Sequence, residues 1–350
     1  MASAEIASAA TGAAPVRGWH RARIAEVVTE TADARSYVLA VPAAVRERFD
    51  YRAGQFLTFR VTVDGAEHYR SYSMSSAPAV GDPLQVTVKR VRGGLVSNRL
   101  IDTLAVGDEV EVTVPAGVFV LRDGGGDLVA FAGGSGITPV FAVLKTVLAT
   151  TSRRVRLLYA NRDRASVIFA RQLAELAEGS GGRLTITWHH DAESGLVDAG
   201  RIRGVLENAT DAEYFVCGPE PFMDLVEAVL GERGADRARV HIERFGTPNG
   251  PEPIAPQEVT AAEVTVRYGR RRVSGAHRAG STLLQTARAL GVAPPSSCEA
   301  GSCATCIARI VRGSARMRHN DALGEDEVAD GWVLTCQAFP TSPVVHVVYE

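Results

Sequence analysis

Four cysteines constrain this chain more than any other feature. Cys298, Cys303 and Cys306 follow the spacing C-x4-C-x2-C, and Cys336 comes after twenty-nine intervening residues. That is the ligand spacing of a plant-type [2Fe–2S] cluster, in which each iron takes two terminal thiolates. Three ligands can come from one tight loop and the fourth from an element that returns to it. The loop SCEAGSCATC is rich in Gly, Ala and Ser, as a backbone must be if it is to wrap a cluster and aim amides at sulfur. A zinc site normally uses paired C-x2-C knuckles, and only one such pair exists here. Disulfides would suit a small secreted scaffold, which nothing else in the chain suggests.

The chain of 350 residues predicts two or three domains, each with its own core. A net charge of −2 offers no basic footprint for nucleic acid. No apolar run approaches the roughly eighteen residues of a membrane span. Residues 1–18 are rich in Ala and Ser but lack both a basic start and an apolar core. They are expected to form a disordered tail instead of a signal peptide. Four of the five cysteines are committed to a cluster, which suits a reducing cytoplasm.

Three zones follow. From 19 to 122 short alternating runs predict strands at Arg23–Val28, Gln55–Val63, Leu84–Val91 and Glu109–Val114, separated by turns such as Asp64-Gly65. This pattern predicts an antiparallel barrel or sandwich. From 123 to 245 strands alternate with helices, as expected of a parallel, doubly wound α/β domain. Its buried strands are Leu128–Ala132, Val155–Tyr159, Leu184–Trp188, Tyr214–Cys217 and Val240–Ile242, with a helix at Phe222–Leu230. Residues 246–258 hold four prolines and two glycines and predict a semi-extended linker. Residues 259–350 carry strands at Glu263–Tyr268, Cys306–Val311 and Val344–Tyr349, a helix near Leu283–Leu290, and the cysteine loop.

Two further motif groups carry chemistry. Arg70-Ser71-Tyr72-Ser73 follows a strand and supplies a cation, a flat aromatic ring and a hydroxyl, the groups a flavin site needs. Alternation would send Arg70 and Tyr72 to one face. Downstream, the glycines and Ser97 of KRVRGGLVS stand where a helix start could offer amides to a pyrophosphate. In the α/β zone, Gly133-Gly134-Ser135-Gly136-Ile137-Thr138-Pro139 lies between the first strand and first helix, where phosphates bind in such folds. Pro139 takes the third glycine position of the usual fingerprint. Cys217-Gly218-Pro219 ends a later strand, at the crevice end of the sheet. His189-His190 beside Asp191 reads as a loop surface, not a metal site.

In their order, these motifs resemble the ferredoxin–NADP⁺ reductase superfamily over residues from about 19 to 350. SYSMSSAP, TVKRVRGGLVSN, AGGSGITP, YANRDRASVIFA, HIERFG and EAGSCATC read like the reductase components of multicomponent oxygenases. The resemblance is to the reductases of 3-ketosteroid 9α-hydroxylase and phenylacetyl-CoA epoxidase. It implies an FAD barrel, an NAD(P) domain and a C-terminal β-grasp ferredoxin domain. By resemblance Arg70 would hold phosphate, Tyr72 would stack on the flavin and Ser73 would face N5. Gly94 and Ser97 would hold the pyrophosphate, which favours FAD over FMN. Gly133, Gly134, Gly136, Thr138, Cys217 and Gly218 would line the path of NADH or NADPH. Ser73, Cys217 and Glu243 would form the catalytic group, and Phe245 would cover the ring. The acidic residue usual for a ribose hydroxyl is replaced by Asn161-Arg162-Asp163-Arg164. Arg162 or Arg164 could bind a 2′-phosphate, whereas Asp163 could suit NADH, and the steroid-hydroxylase resemblance favours NADH.

Nicotinamide gives up two electrons as a hydride and a [2Fe–2S] cluster takes one, so a flavin is needed between them. The expected activity is NAD(P)H-dependent delivery of single electrons to a terminal oxygenase, the partner the resemblance implies. The alternatives are a stand-alone reductase of a soluble ferredoxin or quinone, and a redox-sensing regulatory iron–sulfur flavoprotein.

Overall fold

The computed structural model describes residues 19–122, 124, 126–207, 209, 211–245, 262–296, 298–299, 301, 303–320 and 322–349. The tail expected at 1–18 and the linker expected at 246–258 lie outside the described residues.

The first sheet has six strands: β1 (His20–Thr31), β2 (Ala34–Ala40), β3 (Phe56–Val63), β4 (Ala66–Ser73), β5 (Gln85–Lys89) and β6 (Glu109–Val112). Their order is β4-β3-β6-β1-β2-β5, all antiparallel. A bridge between Met74 and Val86 brings the two edges together and closes the barrel. Closure removes the open edges that would otherwise invite further pairing. Ile24, Tyr37, Leu57, Phe59, Val86 and Val112 are buried together in the barrel core, at alternating positions where they share a strand. Helix α1 (Leu95–Thr103) lays Val96, Leu100 and Ile101 onto that core, and its Leu100 carbonyl accepts from the Tyr37 hydroxyl at 2.9 Å.

The second sheet is parallel: β7 (Asp127–Gly133), β8 (Val155–Asn161), β9 (Leu184–His190), β10 (Ala212–Gly218) and β11 (Val240–Arg244), in the order β11-β10-β7-β8-β9. Alternate residues of β7 feed two cores. Leu128, Ala130 and Ala132 pack towards α2 (Ile137–Thr150) and α3 (Ala170–Gly179). Val129 and Phe131 pack on the other side, with residues of two further helices. Short α4 (Asp191–Ser194) follows β9, and those two helices are α5 (Ala199–Val205) and α6 (Glu220–Glu232). Burial on both faces explains the unbroken apolar runs of these strands.

The third unit comprises β12 (Glu263–Tyr268), β13 (Arg271–Ala276), α7 (Leu283–Ala289), β14 (Ile307–Arg312), β15 (Ala315–Met317), α8 (Glu325–Ala329), β16 (Trp332–Leu334), β17 (Ala338–Pro340) and β18 (Val344–Tyr349). Its sheet runs β13-β12-β18-β14-β16, with β12 and β18 parallel and the rest antiparallel. Leu283 and Ala287 of α7 pack on Val264, Val345 and Val347, the packing of a helix across a grasping sheet. Among the described residues, no helix is long and apolar enough to cross a membrane.

The expected architecture of antiparallel barrel, doubly wound domain and mixed ferredoxin sheet is therefore present. Three local expectations change. His189 and His190, expected on a loop surface, instead end strand β9 and are buried, because the chain after the strand folds back over them and brings the Gly195 carbonyl to His189 Nε2 at 2.8 Å. Arg70-Ser71-Tyr72-Ser73 ends strand β4 instead of following a strand, because it pairs throughout with Phe56–Phe59. Strand β2 has no counterpart among the strands expected from sequence; its segment ARSYVLA is buried at five of seven positions, which masks any alternation.

The barrel is held to the parallel sheet through Phe119, edge-on to Phe215 at 5.1 Å, and through an ion pair between Lys145 of α2 and Asp82. Gly54 lies beneath this joint with φ +96°, and a Cβ there would stand 1.8 Å from the Phe119 carbonyl oxygen. Gly54→Ala is expected to destabilise the protein by about 2–4 kcal/mol, from left-handed strain together with overpacking. Thermal unfolding monitored by flavin release checks it.

Candidate flavin, nicotinamide and cluster sites

The C-terminal ends of β10 and β11 meet the end of β4. Cys217 and Glu243 are register partners across β10 and β11. Ser73, the last residue of β4, donates from Oγ to Glu243 Oε2 at 2.9 Å. Cys217 is fully buried; burial pushes its thiol up and the Glu243 charge pushes it the same way. Ser73, Cys217 and Glu243, far apart in sequence, thus form one group in which a neutral thiol faces a carboxylate.

The glycine-rich turn closes over this group. Gly133 ends β7, and Gly136 is the N-cap of α2. A Cβ on Gly136 would lie 2.1 Å from the Cys217 carbonyl oxygen, so only glycine permits the two turns to interlock. Gly218 is also packed tightly on the backbone of Gly133. Thr138 Oγ1 donates to the Ser135 carbonyl at 3.1 Å and holds the first turn of α2. A 3-10 turn leads into that helix, with the Ile137 amide donating to the Gly134 and Ser135 carbonyls, and this glycine turn at a helix start fits a pyrophosphate. Lys89 Nζ lies 3.5 Å from the point a Gly134 Cβ would occupy. This cation ends β5 within the TVKRVRGGLVSN segment, and nothing local in sequence marks its approach to the glycine turn.

On β4, Arg70 is exposed, and its Nη1 donates to the neighbouring Tyr69 carbonyl at 2.7 Å. Tyr72 stands edge-on to Phe59 at 5.4 Å, and burial pushes its phenol up, so it remains a neutral flat surface. Gly94 caps α1, and Ser97 Oγ accepts from the Val91 amide at 3.1 Å. Ser97 therefore shapes the helix start that carries the amides. These groups fit the anionic and aromatic parts of FAD. Phe245, just past β11, is 43% exposed.

All four cluster cysteines are buried, free thiols. They stand as two pairs, Cys298 with Cys303 and Cys306 with Cys336. Hydrogen bonding within each pair, reinforced by burial and by repulsion among the sulfurs, raises the thiols of Cys303 and Cys306 well above the usual range. Metal binding must overcome that by displacing the protons. Two dithiol pairs side by side fit two irons with two terminal ligands each. The loop turns inward through positive φ at Glu299, Gly301 and Ala304. It is braced by Gln337 Nε2 donating to the Glu299 carbonyl and by Arg288 on the Glu299 carboxylate, both at 2.6 Å. The Cys306 carbonyl accepts from Thr335 Oγ1 at 2.7 Å, which is in turn bonded to the Tyr349 hydroxyl. These braces come from distant segments and have no sequence signal.

Comparison with known proteins matches each unit. Residues 21–121 match the oxidoreductase FAD-binding domain, 131–228 the oxidoreductase NAD-binding domain, and 270–341 the 2Fe-2S iron-sulfur cluster binding domain. The chain is 40% identical to the ferredoxin reductase component of 3-ketosteroid-9-alpha-monooxygenase from Rhodococcus rhodochrous, over 91% of this chain and 93% of that one. The chain belongs to the family of flavin and iron–sulfur reductase components of oxygenases. It is also 34% identical to a component of 1,2-phenylacetyl-CoA epoxidase from Escherichia coli (strain K12), over 93% and 97% of the two chains. Among solved structures it is similar to phthalate dioxygenase reductase, a modular structure for electron transfer from pyridine nucleotides to [2Fe-2S]. The TM-score is 0.59 at 27% identity, covering 95% of this chain and 98% of that one.

Replacing Cys298, Cys303, Cys306 or Cys336 singly by Ser is expected to remove or degrade the cluster spectrum while flavin stays bound. Sulfide and iron analysis with visible absorbance checks it, and tetrahedral zinc without sulfide in the wild type would contradict the assignment. Gly136→Ala, by contrast, should weaken NAD(P)H binding and leave the cluster spectrum intact.

Proposed function

We propose that this protein takes a hydride from NAD(P)H onto FAD and passes the electrons singly, through a [2Fe–2S] cluster, to a separate terminal oxygenase. The observation that carries the reading is the Ser73–Glu243–Cys217 group, set where the barrel meets the crevice end of the parallel sheet. Bound flavin supplies the exchange between two-electron and one-electron chemistry. The chain's own residues bind and orient. Arg70 holds phosphate, Tyr72 stacks, and Gly94 and Ser97 shape the pyrophosphate site. Gly133, Gly134, Gly136, Thr138 and Gly218 seat the nicotinamide cofactor, and Phe245 shields the ring. Ser73 and Glu243 hold a hydrogen bond at the reacting edge, and buried Cys217 keeps its proton and excludes water. Cys298, Cys303, Cys306 and Cys336 hold the cluster. We assign the flavin unit to 19–122, the nicotinamide unit to 123–245 and the ferredoxin unit to 259–350, joined by 246–258, and place the protein in the cytoplasm.

The oxygenase partner is inferred from the relatives, which are components of ketosteroid and phenylacetyl-CoA oxygenase systems. Reconstitution with an oxygenase encoded beside it is the test. Substrate oxidation coupled to NAD(P)H consumption is expected. Electron delivery to small acceptors alone would favour the stand-alone reductase.

NADH is the preferred donor in this reading. Arg162 pairs with Asp163 at 2.9 Å and Arg164 with Glu193 at 2.7 Å, so each candidate guanidinium stands beside a carboxylate that would repel a 2′-phosphate. Asp163 is further fixed by accepting from the Ser166 amide at 2.8 Å. Steady-state kinetics should give the higher kcat/KM with NADH, and Arg162→Ala or Arg164→Ala should change it little. A clear wild-type preference for NADPH would overturn the choice and make these arginines specificity residues.

A further inference from the structure

Thr58 lies in the middle of β3 and is only 1% exposed despite its hydroxyl. In the β3–β4 ribbon it sits opposite Ser71, whereas Leu57 sits opposite Tyr72 and Phe59 opposite Arg70. The strand period of two puts Phe56, Thr58 and Ser71 on one face and Leu57, Phe59, Arg70 and Tyr72 on the other. The second face belongs to the barrel core and to Arg70 and Tyr72 of the flavin motif, whereas Ser73, opposite Phe56 at the strand end, shares the first. The first is covered by the ferredoxin unit. Thr58 Oγ1 donates to the carbonyl of Cys303 at 3.2 Å, and Ser71 Oγ lies 2.9 Å from Thr58 Oγ1. A threonine hydroxyl has one proton to give. With that proton on the Cys303 carbonyl, Ser71 is the donor to Thr58, which fixes the direction of the chain Ser71→Thr58→Cys303.

Apolar packing reinforces the same contact. Phe56 and Ala116 of the barrel share one buried cluster with Cys306, Leu334 and Cys336 of the ferredoxin unit. Cys303 through its carbonyl, and Cys306 and Cys336 through this cluster, thus take part in the packing of the ferredoxin unit on the barrel.

We propose that Thr58, oriented by Ser71, is the positioning residue that seats the cluster loop on the flavin-binding ribbon. Ser71 is the unspecified position of the Arg-x-Tyr-Ser motif. Its neighbours Arg70 and Tyr72 face the flavin, and its own side chain faces the cluster. One short segment therefore fixes both redox groups with respect to each other, through opposite faces of the same strand. The inference rests on the functional reading above, but its claim concerns the seating of the loop and not the identity of donor or acceptor.

The test uses the holoprotein with FAD and cluster in place. In Thr58→Val, which keeps the shape and removes the donor, flavin bleaching by NADH should proceed at the wild-type rate. Subsequent reduction of the cluster should slow by roughly tenfold, the value of one buried hydrogen bond converted to a rate. Thr58→Ser should restore it. Independently of any turnover, hydrogen–deuterium exchange at residues 303–306 should quicken in Thr58→Val and return to wild type in Thr58→Ser. Unchanged cluster reduction and unchanged loop protection in Thr58→Val would overturn the proposal. Loss of FAD or cluster from that variant would also overturn it, by assigning Thr58 to folding. If the wild type bleaches its flavin but never reduces its cluster, the functional reading fails, and the exchange measurement still judges the seating of the loop.

Discussion

The hydrogen bond from Ser73 to Glu243 ties the last residue of a barrel strand to the outer strand of a parallel sheet. In the proposed reaction, the geometry of hydride transfer depends on that tie. In that proposal the flavin lies on β4 and the nicotinamide at the ends of β7 and β10, on two cores that each have their own apolar interior. Only contacts between the cores set the distance between the two rings. Ser73 and Glu243 supply a polar contact between the cores. Phe119 on Phe215, and Lys145 on Asp82, supply rigidity farther out.

The surroundings of the tie are arranged to keep it dry and singly charged. Cys217 is held neutral by burial and by Glu243 itself, so the pocket gains no second negative charge. The interlocked backbones of Gly136 and Cys217 leave no room for a side chain between the glycine-rich turn and the end of β10. Nearer the start of β10, half-buried Glu213 lies between His241 and Arg153, whose hydrogen bonds outweigh the burial that would otherwise raise its carboxyl. That group anchors β11 through His241, at the opposite end of the strand from Glu243.

Much of this is legible in sequence where one local rule decides the outcome. β12 and β18 coincide with the strands expected at Glu263–Tyr268 and Val344–Tyr349, because their valines are buried in the third sheet. The parallel strands are visible as apolar runs because both faces are covered. The cysteine spacing names its cluster because ligand geometry allows few alternatives. What cannot be read depends on contacts between distant segments. β2 is hidden because burial at most of its positions erases its period. The Thr58–Cys303 bond spans 245 positions, and neither residue carries a mark that points to the other. Lys89 belongs to a recognisable motif, but its approach to Gly134 exists only after the barrel and the parallel sheet have packed.

The central claim is that one chain converts hydride into single electrons across three physically joined units. An anaerobic titration of the holoprotein with NADH tests it most directly, following flavin absorbance and the paramagnetic signal of the reduced cluster together. The account predicts that the cluster signal grows as the flavin bleaches, with no added mediator. A flavin that bleaches fully while the cluster stays oxidised would contradict it.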